Sequence, residues 1–501
     1  MTSFLFYDIE TTGLNAAFDQ ILTFAAIRTD TNLNEIERYS VTIQMRPDIV
    51  PSPGAFITHR LMPEELAEGV CEYEAAREIH AIVNVSGTIS IGYNNLGFDD
   101  EFLRFTFYRN LLDPYSHQYA NGCYRIDLLP IATIYRIFKP GIINWPTTDT
   151  GKSSLKLELI SNANQFMTSG RSHNAMADVE ATIQLARCLI REDQVWSYCL
   201  CFFDKNWDRT RIDKMLNQPS DADYPVALMV SHRLGGADST YMVPVIGIGR
   251  SYHYKNQSLW IRLDRDIIPN SKIINPNELM VIRKKDGEIG VVLPHLPRYW
   301  DRLSDEQKSF AENNLSSIYE SEENHSLFKR IIEYHREFKY EQVLEADLDS
   351  LLYQSPFFTN AEKQEMGRFH RNSFAEKIAM VETIQSSRVK AMAIRIIFRN
   401  FFNKDTLSIS IINNQKDNIK NGFNKQIFNL ILKDYESYME RVRYSSIDPD
   451  FNTKKIIGFK RDERLVPTKA IDEVINIRRD IALDDEQNKI LDWLEKYLLS
   501  I

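Results

Sequence analysis

The stretch FLFYDIETTGL, residues 4–14, sets Asp8 and Glu10 into a run that otherwise reads as a buried β-strand. Carboxylates there are costly unless a cation or hydrogen bonds hold them. Two residues apart on a strand they share one face, and two acids on one face repel unless a metal ion lies between them. Carboxylate oxygens suit hard divalent cations such as Mg²⁺, where thiols would not. The pair alone proves little, because Asp-x-Glu recurs at Asp99, Asp178, Asp286, Asp434 and Asp484, where a solvated surface is the simpler reading.

Three further segments supply company. In YNNLGFDDE (93–101) a strand gives way to a helix at Asp99, so Asp99 and Asp100 can divide the roles of helix cap and ligand. In SHNAMADVEATIQLA (172–186) His173 precedes Asp178 by five residues, with Ala175 and Ala177 between them. Small residues there let the following amphipathic helix approach a neighbour closely. SLKLELI puts Lys156 just ahead of a helix, where it is either a phosphate contact or one more solvated lysine.

The elements that must position these groups alternate in type. FLFYDIE and ILTFAAIRTD read as neighbouring strands joined by a turn containing Gly13, and YSVTIQM as a third, followed by a Pro-rich loop, DIVPSPGAFITHRL. CEYEAAREIHAIV reads as a helix, TISIGYN as a strand and DDEFLRFTFYRNLL as a helix. YRIDLLPIATIYRIF runs from strand to helix, and SLKLELISNANQF and DVEATIQLARCLIRE are further helices. This is α/β organisation. Near residue 195 the texture changes to short Gly- and Pro-punctuated β runs, YPVALMVSHRLGGADSTYMVPVIGIG, SLWIRLDRD and GEIGVVLPHLP, which suit a small barrel or curled sheet. From about 303 the pattern is helical to Ile501, interrupted by NNQKDNIKNGFN (413–424), which reads as an exposed loop.

Bulk properties bound the function class. A chain of 501 residues with 43% apolar content is globular and long enough for about two to four domains. No leader or membrane segment is apparent, and five cysteines without Cys-x-x-Cys spacing fit reduced thiols, so a soluble cytoplasmic protein is expected. The net charge of −9 is unevenly spread: residues 356–445 hold 15 Lys/Arg against 9 Asp/Glu, a balance of +6. A basic region on an acidic chain is compatible with a phosphate-binding groove.

The order Asp-x-Glu, Asn-x-x-Phe-Asp, His-x-Ala-x-x-Asp resembles the DEDD-type 3′-to-5′ exonucleases of the ribonuclease H-like group, in their histidine-bearing branch. FLFYDIETTG, FAAIRTD, GYNNLGFDDEFLRFTFYRNLLDPY, INWP and SHNAMADVEATI look more closely like the blocks of the bacterial exonuclease I family, over most of residues 4–190. Beyond 195 the likeness rests on length, YPVALMVSHRLGGADSTYMVPV and PFFTNAEKQEM.

The resemblance implies an α/β ribonuclease H-like exonuclease domain at 1–194, an SH3-like β-barrel domain at 195–346 and an all-α C-terminal domain at 347–501, enclosing a groove for single-stranded DNA. It assigns the helices of 303–345 to the second domain, where texture alone starts the helical part earlier. It implies 3′-to-5′ hydrolysis of single-stranded DNA to 5′-mononucleotides, processive and serving DNA repair and recombination. Two Mg²⁺, with Mn²⁺ as a substitute, would be held by Asp8, Glu10, Asp99 and Asp178. His173 is then the general base, with an ordinary pKa of about 6.5. Lys156, Asn95, Phe98 and Glu10 would meet substrate, Glu10 at the terminal 3′-hydroxyl.

Of the nearby aromatics Phe98, Phe102, Phe105, Tyr108 and Tyr124, most should be core at helical spacing, with stacking on bases the alternative. Arg233, Lys255 and Arg262 are candidates for backbone contacts in the barrel. The implied partners are single-stranded DNA and the acidic, apolar tail of single-stranded DNA-binding protein, with a monomer as the default state. Lys156 stands where the family tends to have Arg, which keeps the charge and gives up the bidentate fork. For the helices from about 400 to 501 no alignment to the family is read, so no DNA contacts are assigned there. The rivals are a ribonuclease or proofreading subunit built on the same acids, and a binding protein with a retired nuclease domain.

Overall fold

Five strands carry the N-terminal part of the chain, all mostly buried except the edge strand β3: β1 (Ser3–Thr11), β2 (Ile21–Thr29), β3 (Glu35–Thr42), β4 (Thr88–Gly92) and β5 (Tyr124–Asp127). The computed structural model describes residues 2–148, 151–166, 174–217, 224–234, 240–265, 267, 281–401, 425–443 and 455–501. The sheet order is β3-β2-β1-β4-β5. β1 to β3 form an antiparallel meander, whereas β4 joins β1 in parallel and β5 joins β4 in parallel. The parallel pairs need crossovers, which helices supply.

α1 (Pro53–His59), α2 (Pro63–Ala67) and α3 (Glu72–Val83) lie between β3 and β4, α4 (Asp99–Arg109) lies between β4 and β5, and α5 (Leu128–Phe138), α6 (Leu157–Asn164) and α7 (Ala175–Leu189) follow the last strand. α1 corrects the expectation of a loop after β3, and α2 follows it directly. Pro53 and Pro63 stand at helix starts, where a missing N–H costs nothing and a fixed φ favours the first turn. The polar stretch 413–424 lies outside the described residues.

After α8 (Asp193–Cys201) and α9 (Lys205–Leu216) comes a second, antiparallel sheet. Its strands are β6 (Val226–Val230), β7 (Met242–Arg250), β8 (Gln257–Arg262), β9 (Val281–Lys285) and β10 (Val291–Pro294), in the order β10-β6-β7-β8-β9. Following α10 (Pro297–Trp300), α11 (Asp305–Tyr319) and α12 (Glu322–Glu337) pack Ala311, Ile318, Phe328 and Ile331 against Ile246, Ile248, Leu259 and Ile261 of that sheet. They therefore share the middle sheet's core.

The remaining helices are α13 (Asn360–Arg371), α14 (Phe374–Val381), α15 (Ser387–Asn400), α16 (Lys425–Arg443), α17 (Pro467–Asp480) and α18 (Asp485–Ser500). Their core is continuous with Phe18, Phe56, Tyr73, Phe105 and Tyr108 of the N-terminal part. A buried ionic network crosses the same seam. Arg46 reaches Asp48 at 3.0 Å and Glu72 at 2.8 Å, Arg109 reaches Glu72 at 2.8 Å, and Arg399 reaches Asp48 at 2.9 Å and Asp349 at 2.6 Å. Burial opposes ionisation, yet these guanidinium groups win and hold Glu72 down at about 2 and Asp48 well below the usual carboxylate range. Losing one member would strand the others' charges in the interior. The helical part is thus fastened to the first sheet by charge as well as by apolar packing.

Candidate active site

β1 places the first two acids. It is a central strand, with Asp8 opposite Ala25 and Glu10 opposite Thr23 on β2, and the ladder shifts register between Glu10 and Thr11. The turn that follows is held by the buried Asp19, whose carboxylate accepts the Asn15 N–H at 2.7 Å. Gly13 is required because a Cβ there would overlap that carboxylate.

α7 places the third acid. Asn174 caps the helix, its side chain accepting from the N–H groups of Met176 at 3.1 Å and Ala177 at 3.3 Å. Ala175 and Ala177 are buried, and the helix lies on β1 and β2. Asp178, in the first turn, therefore meets the strand acids: carboxylate oxygens of Asp8, Glu10 and Asp178 lie within 4.8 Å of one another.

Asp99 opens α4 and is buried outside that mutual distance, but its charge raises both Asp8 and Glu10. Burial pushes Glu10 up to about 8, with Asp178 and Asp99 adding to it, and Asp8 well above its ordinary value. Burial likewise lifts Asp99 to about 7, against hydrogen bonds from the backbone. Among the described residues no basic side chain offsets Asp8 or Glu10. Desolvated, mutually repelling carboxyl groups that ionise only reluctantly by themselves are a donor set that a hard divalent cation fits.

Asp100 behaves oppositely. Despite complete burial, its carboxylate is held far below the ordinary range by Arg104 (2.5 Å) and Arg125, with His117 at 2.9 Å. Two adjacent acids thus face different surroundings: Asp99 joins the acidic cluster and Asp100 anchors α4. Neither caps the helix, since Phe98 occupies that position without a side-chain cap bond.

The substrate candidates are placed as follows. Asn95 is buried and its amide donates to the Tyr7 hydroxyl at 3.4 Å. Phe98 is half-buried, packed 4.8 Å from Phe102. Lys156 is exposed at the start of α6. His173 lies outside the described residues. Phe102, Phe105 and Tyr108 are core, while Tyr124 is exposed and donates to Asp204 at 2.7 Å. Arg262 is buried and paired with Asp264, whereas Arg233 and Lys255 are exposed.

Sequence reasoning missed Asp127, at the end of β5. Its buried carboxylate accepts backbone N–H bonds from Asn94 (2.8 Å), Leu129 (3.0 Å) and Leu96 (3.2 Å). It both caps α5 and fixes the turn in which Asn94 takes a left-handed φ of 65° just ahead of Asp99. Burial lifts it to about 7 against those bonds. The available signal was an acid at a strand-to-helix junction, the same signal that marked Asp99.

With this geometry in hand, comparison with known proteins is direct. A family profile described as "Exonuclease" matches residues 5–186. An exodeoxyribonuclease I of Buchnera aphidicola is 32% identical over 306 residues, covering 59% of this chain and 70% of the relative. Those of Haemophilus influenzae and Escherichia coli are 36% and 39% identical, over 52% and 41% of this chain and about half of their own lengths (54% and 44%). The solved structure of Escherichia coli exonuclease I in complex with a dT13 oligonucleotide superposes with a TM-score of 0.77 over 99% of both chains at 24% identity, which speaks to the fold. By sequence and by fold together, the chain belongs to the exodeoxyribonuclease I family.

Proposed function

We propose that this protein degrades single-stranded DNA from the 3′ end to 5′-mononucleotides by metal-assisted hydrolysis. The observation that carries the reading is the cluster of Asp8, Glu10 and Asp178 within 4.8 Å, with Asp99 beside it. These four would hold two Mg²⁺, Mn²⁺ being the substitute. Bound there, such ions supply an activated water and charge relief at the leaving 3′-oxygen.

The chain's own residues do the rest. β1 and α7 hold three carboxylates in a desolvated site that attracts the cations. His173, five residues before Asp178 and near pKa 6.5 when unperturbed, takes the proton of the attacking water. Lys156, solvated at the start of α6, meets a substrate phosphate, and Glu10 meets the terminal 3′-hydroxyl. Asp127 holds the turn that delivers Asp99.

An exonuclease domain at 1–194, an SH3-like domain at 195–346 and a helical domain at 347–501 would close round the strand and make degradation processive. Family membership supports single-stranded DNA as substrate. The +6 balance of 356–445 suits the acidic tail of single-stranded DNA-binding protein as a second partner, with the enzyme monomeric. Among the described residues no helix is long and apolar enough to cross a membrane.

Degradation of 5′-labelled single-stranded DNA, duplex DNA and RNA with Mg²⁺ tests the reading. It predicts progressive shortening of the single-stranded DNA from its 3′ end and slower loss of the other two. Preference for RNA would transfer the chain to the ribonuclease reading.

A further inference from the structure

We infer that Arg233, from the middle sheet's β6–β7 connection, is a substrate-binding residue that holds a phosphodiester beside the catalytic turn. The inference rests on the nuclease reading above and names a residue of that site.

The observation is a vacancy in one segment filled from another. Gly97 sits two residues before Asp99, and a Cβ built on it would overlap an Arg233 guanidinium nitrogen, lie 2.8 Å from the Asn94 side-chain oxygen and 3.5 Å from the guanidinium carbon. Gly97 does not have a positive φ, so what its missing side chain provides is room, shared by the Arg233 guanidinium and the Asn94 side-chain oxygen. Arg233 thus occupies the place a side chain at 97 would take. A guanidinium is delivered to the catalytic turn from about 135 residues further along the chain.

The surroundings are those of an anion site. Arg233 borders a cleft of about 400 Å³ together with Leu96, Gly97, Arg283, Lys285 and Lys460. The acids at its edge are already engaged: Glu101 by Arg104 at 3.1 Å, and Glu288 by Arg125 at 3.7 Å and Lys285 at 3.8 Å. Arg283 is held by the His335 carbonyl at 3.2 Å and by the Phe338 ring at 4.5 Å, and among the described residues it has no carboxylate partner. Among the described residues no carboxylate forms an ion pair with Arg233, and the buried Asp127, on which its charge acts, has its oxygens taken up by three backbone N–H groups. Its fork of donors is therefore available to an oxyanion, and a phosphodiester is the anion a nuclease brings there. Arg262, the buried arginine of the same sheet, is spoken for by Asp264 at 2.5 Å, and this separates the two candidates.

The test measures binding of a fluorescein-labelled dT12 by anisotropy without metal, across a salt series, and steady-state kinetics with Mg²⁺. Proteins compared are wild type, Arg233→Ala, Arg233→Lys and the double variant Gly97→Arg/Arg233→Ala. Arg233→Ala should weaken binding about tenfold, lower the slope of log Kd against log salt by about 0.7 as one phosphate contact is lost, and raise KM by more than it lowers kcat. Arg233→Lys should fall between. The double variant returns a guanidinium to the same place from the other segment and should recover most of the binding and the slope. Unchanged binding and slope in Arg233→Ala overturn the assignment, as does a loss confined to kcat, which would make Arg233 a prop for the turn. Failure of the double variant to recover also overturns it. A wild type that neither binds nor cleaves dT12 would sink the nuclease reading itself, and this assignment with it.

Discussion

Glu10→Gln in the metal-free protein should stabilise the fold at neutral pH and leave it nearly unchanged at pH 5. Burial and the Asp178 and Asp99 charges lift the Glu10 carboxyl from 4.5 to about 8. A group whose folded-state pKa is raised holds its proton more tightly when folded, so stability falls as pH rises from the unfolded value toward the folded one. At pH 7 the interval is about 2.5 pH units, and at 1.36 kcal/mol per unit the folded protein has lost about 3 kcal/mol relative to acid. The isosteric amide does not ionise and escapes that loss. At pH 5 the wild-type carboxyl is itself protonated, so the two proteins should agree within about 0.5 kcal/mol.

Thermal unfolding in chelator at pH 5 and pH 7.5 measures this. Adding Mg²⁺ at pH 7.5 should raise the wild-type Tm by mass action and move the variant much less. Equal destabilisation of Glu10→Gln at both pH values would refute the reasoning, because it would mean that the carboxylate is satisfied by the protein alone.

Other consequences can be checked separately. Asp99→Asn and Asp100→Asn should diverge: the first should abolish nuclease activity while keeping or raising Tm, and the second should lower Tm by stranding Arg104 and Arg125 in the interior, as parallel melting and activity assays would show. Asp48→Ala leaves Arg46, Arg399 and Arg464 without their shared carboxylate and should cost about 3–5 kcal/mol in urea unfolding, with specific activity of the folded fraction retained. Asp127→Ala should lower kcat about tenfold or more by freeing the turn before Asp99, whereas Asp127→Asn, which keeps an acceptor oxygen, should recover most of it.

The acids announced themselves in the sequence because carboxylates in an apolar strand and at a helix start need a reason, and the reason proposed for all of them is a shared cation site. Asp8, Glu10 and Asp178 come together through a central strand and a helix whose small residues let it lie on that strand. The α/β pattern was readable for the same cause, since strand and helix periodicities differ and each crossover fits between strands. The helix α1 was hidden by prolines that suggested a loop, although proline at a helix start is favourable. Asp127 and the Arg46/Asp48/Glu72/Arg399 network were not visible because their partners are backbone N–H groups or side chains up to hundreds of residues away. Gly97 and Arg233 belong to the same class: an unremarkable glycine and an unremarkable arginine acquire meaning only when the second sheet is docked on the first.

The central claim, that the carboxylate cluster hydrolyses DNA from its 3′ end, is tested most directly by one comparison. Wild type and Asp178→Ala are given 3′-labelled and 5′-labelled single-stranded DNA with Mg²⁺, and the products are resolved by size. The account predicts immediate release of labelled mononucleotide from the 3′-labelled strand by wild type alone, with the 5′ label retained on progressively shorter strands. Equal activity in Asp178→Ala, or mononucleotide released first from the 5′-labelled strand, would contradict it.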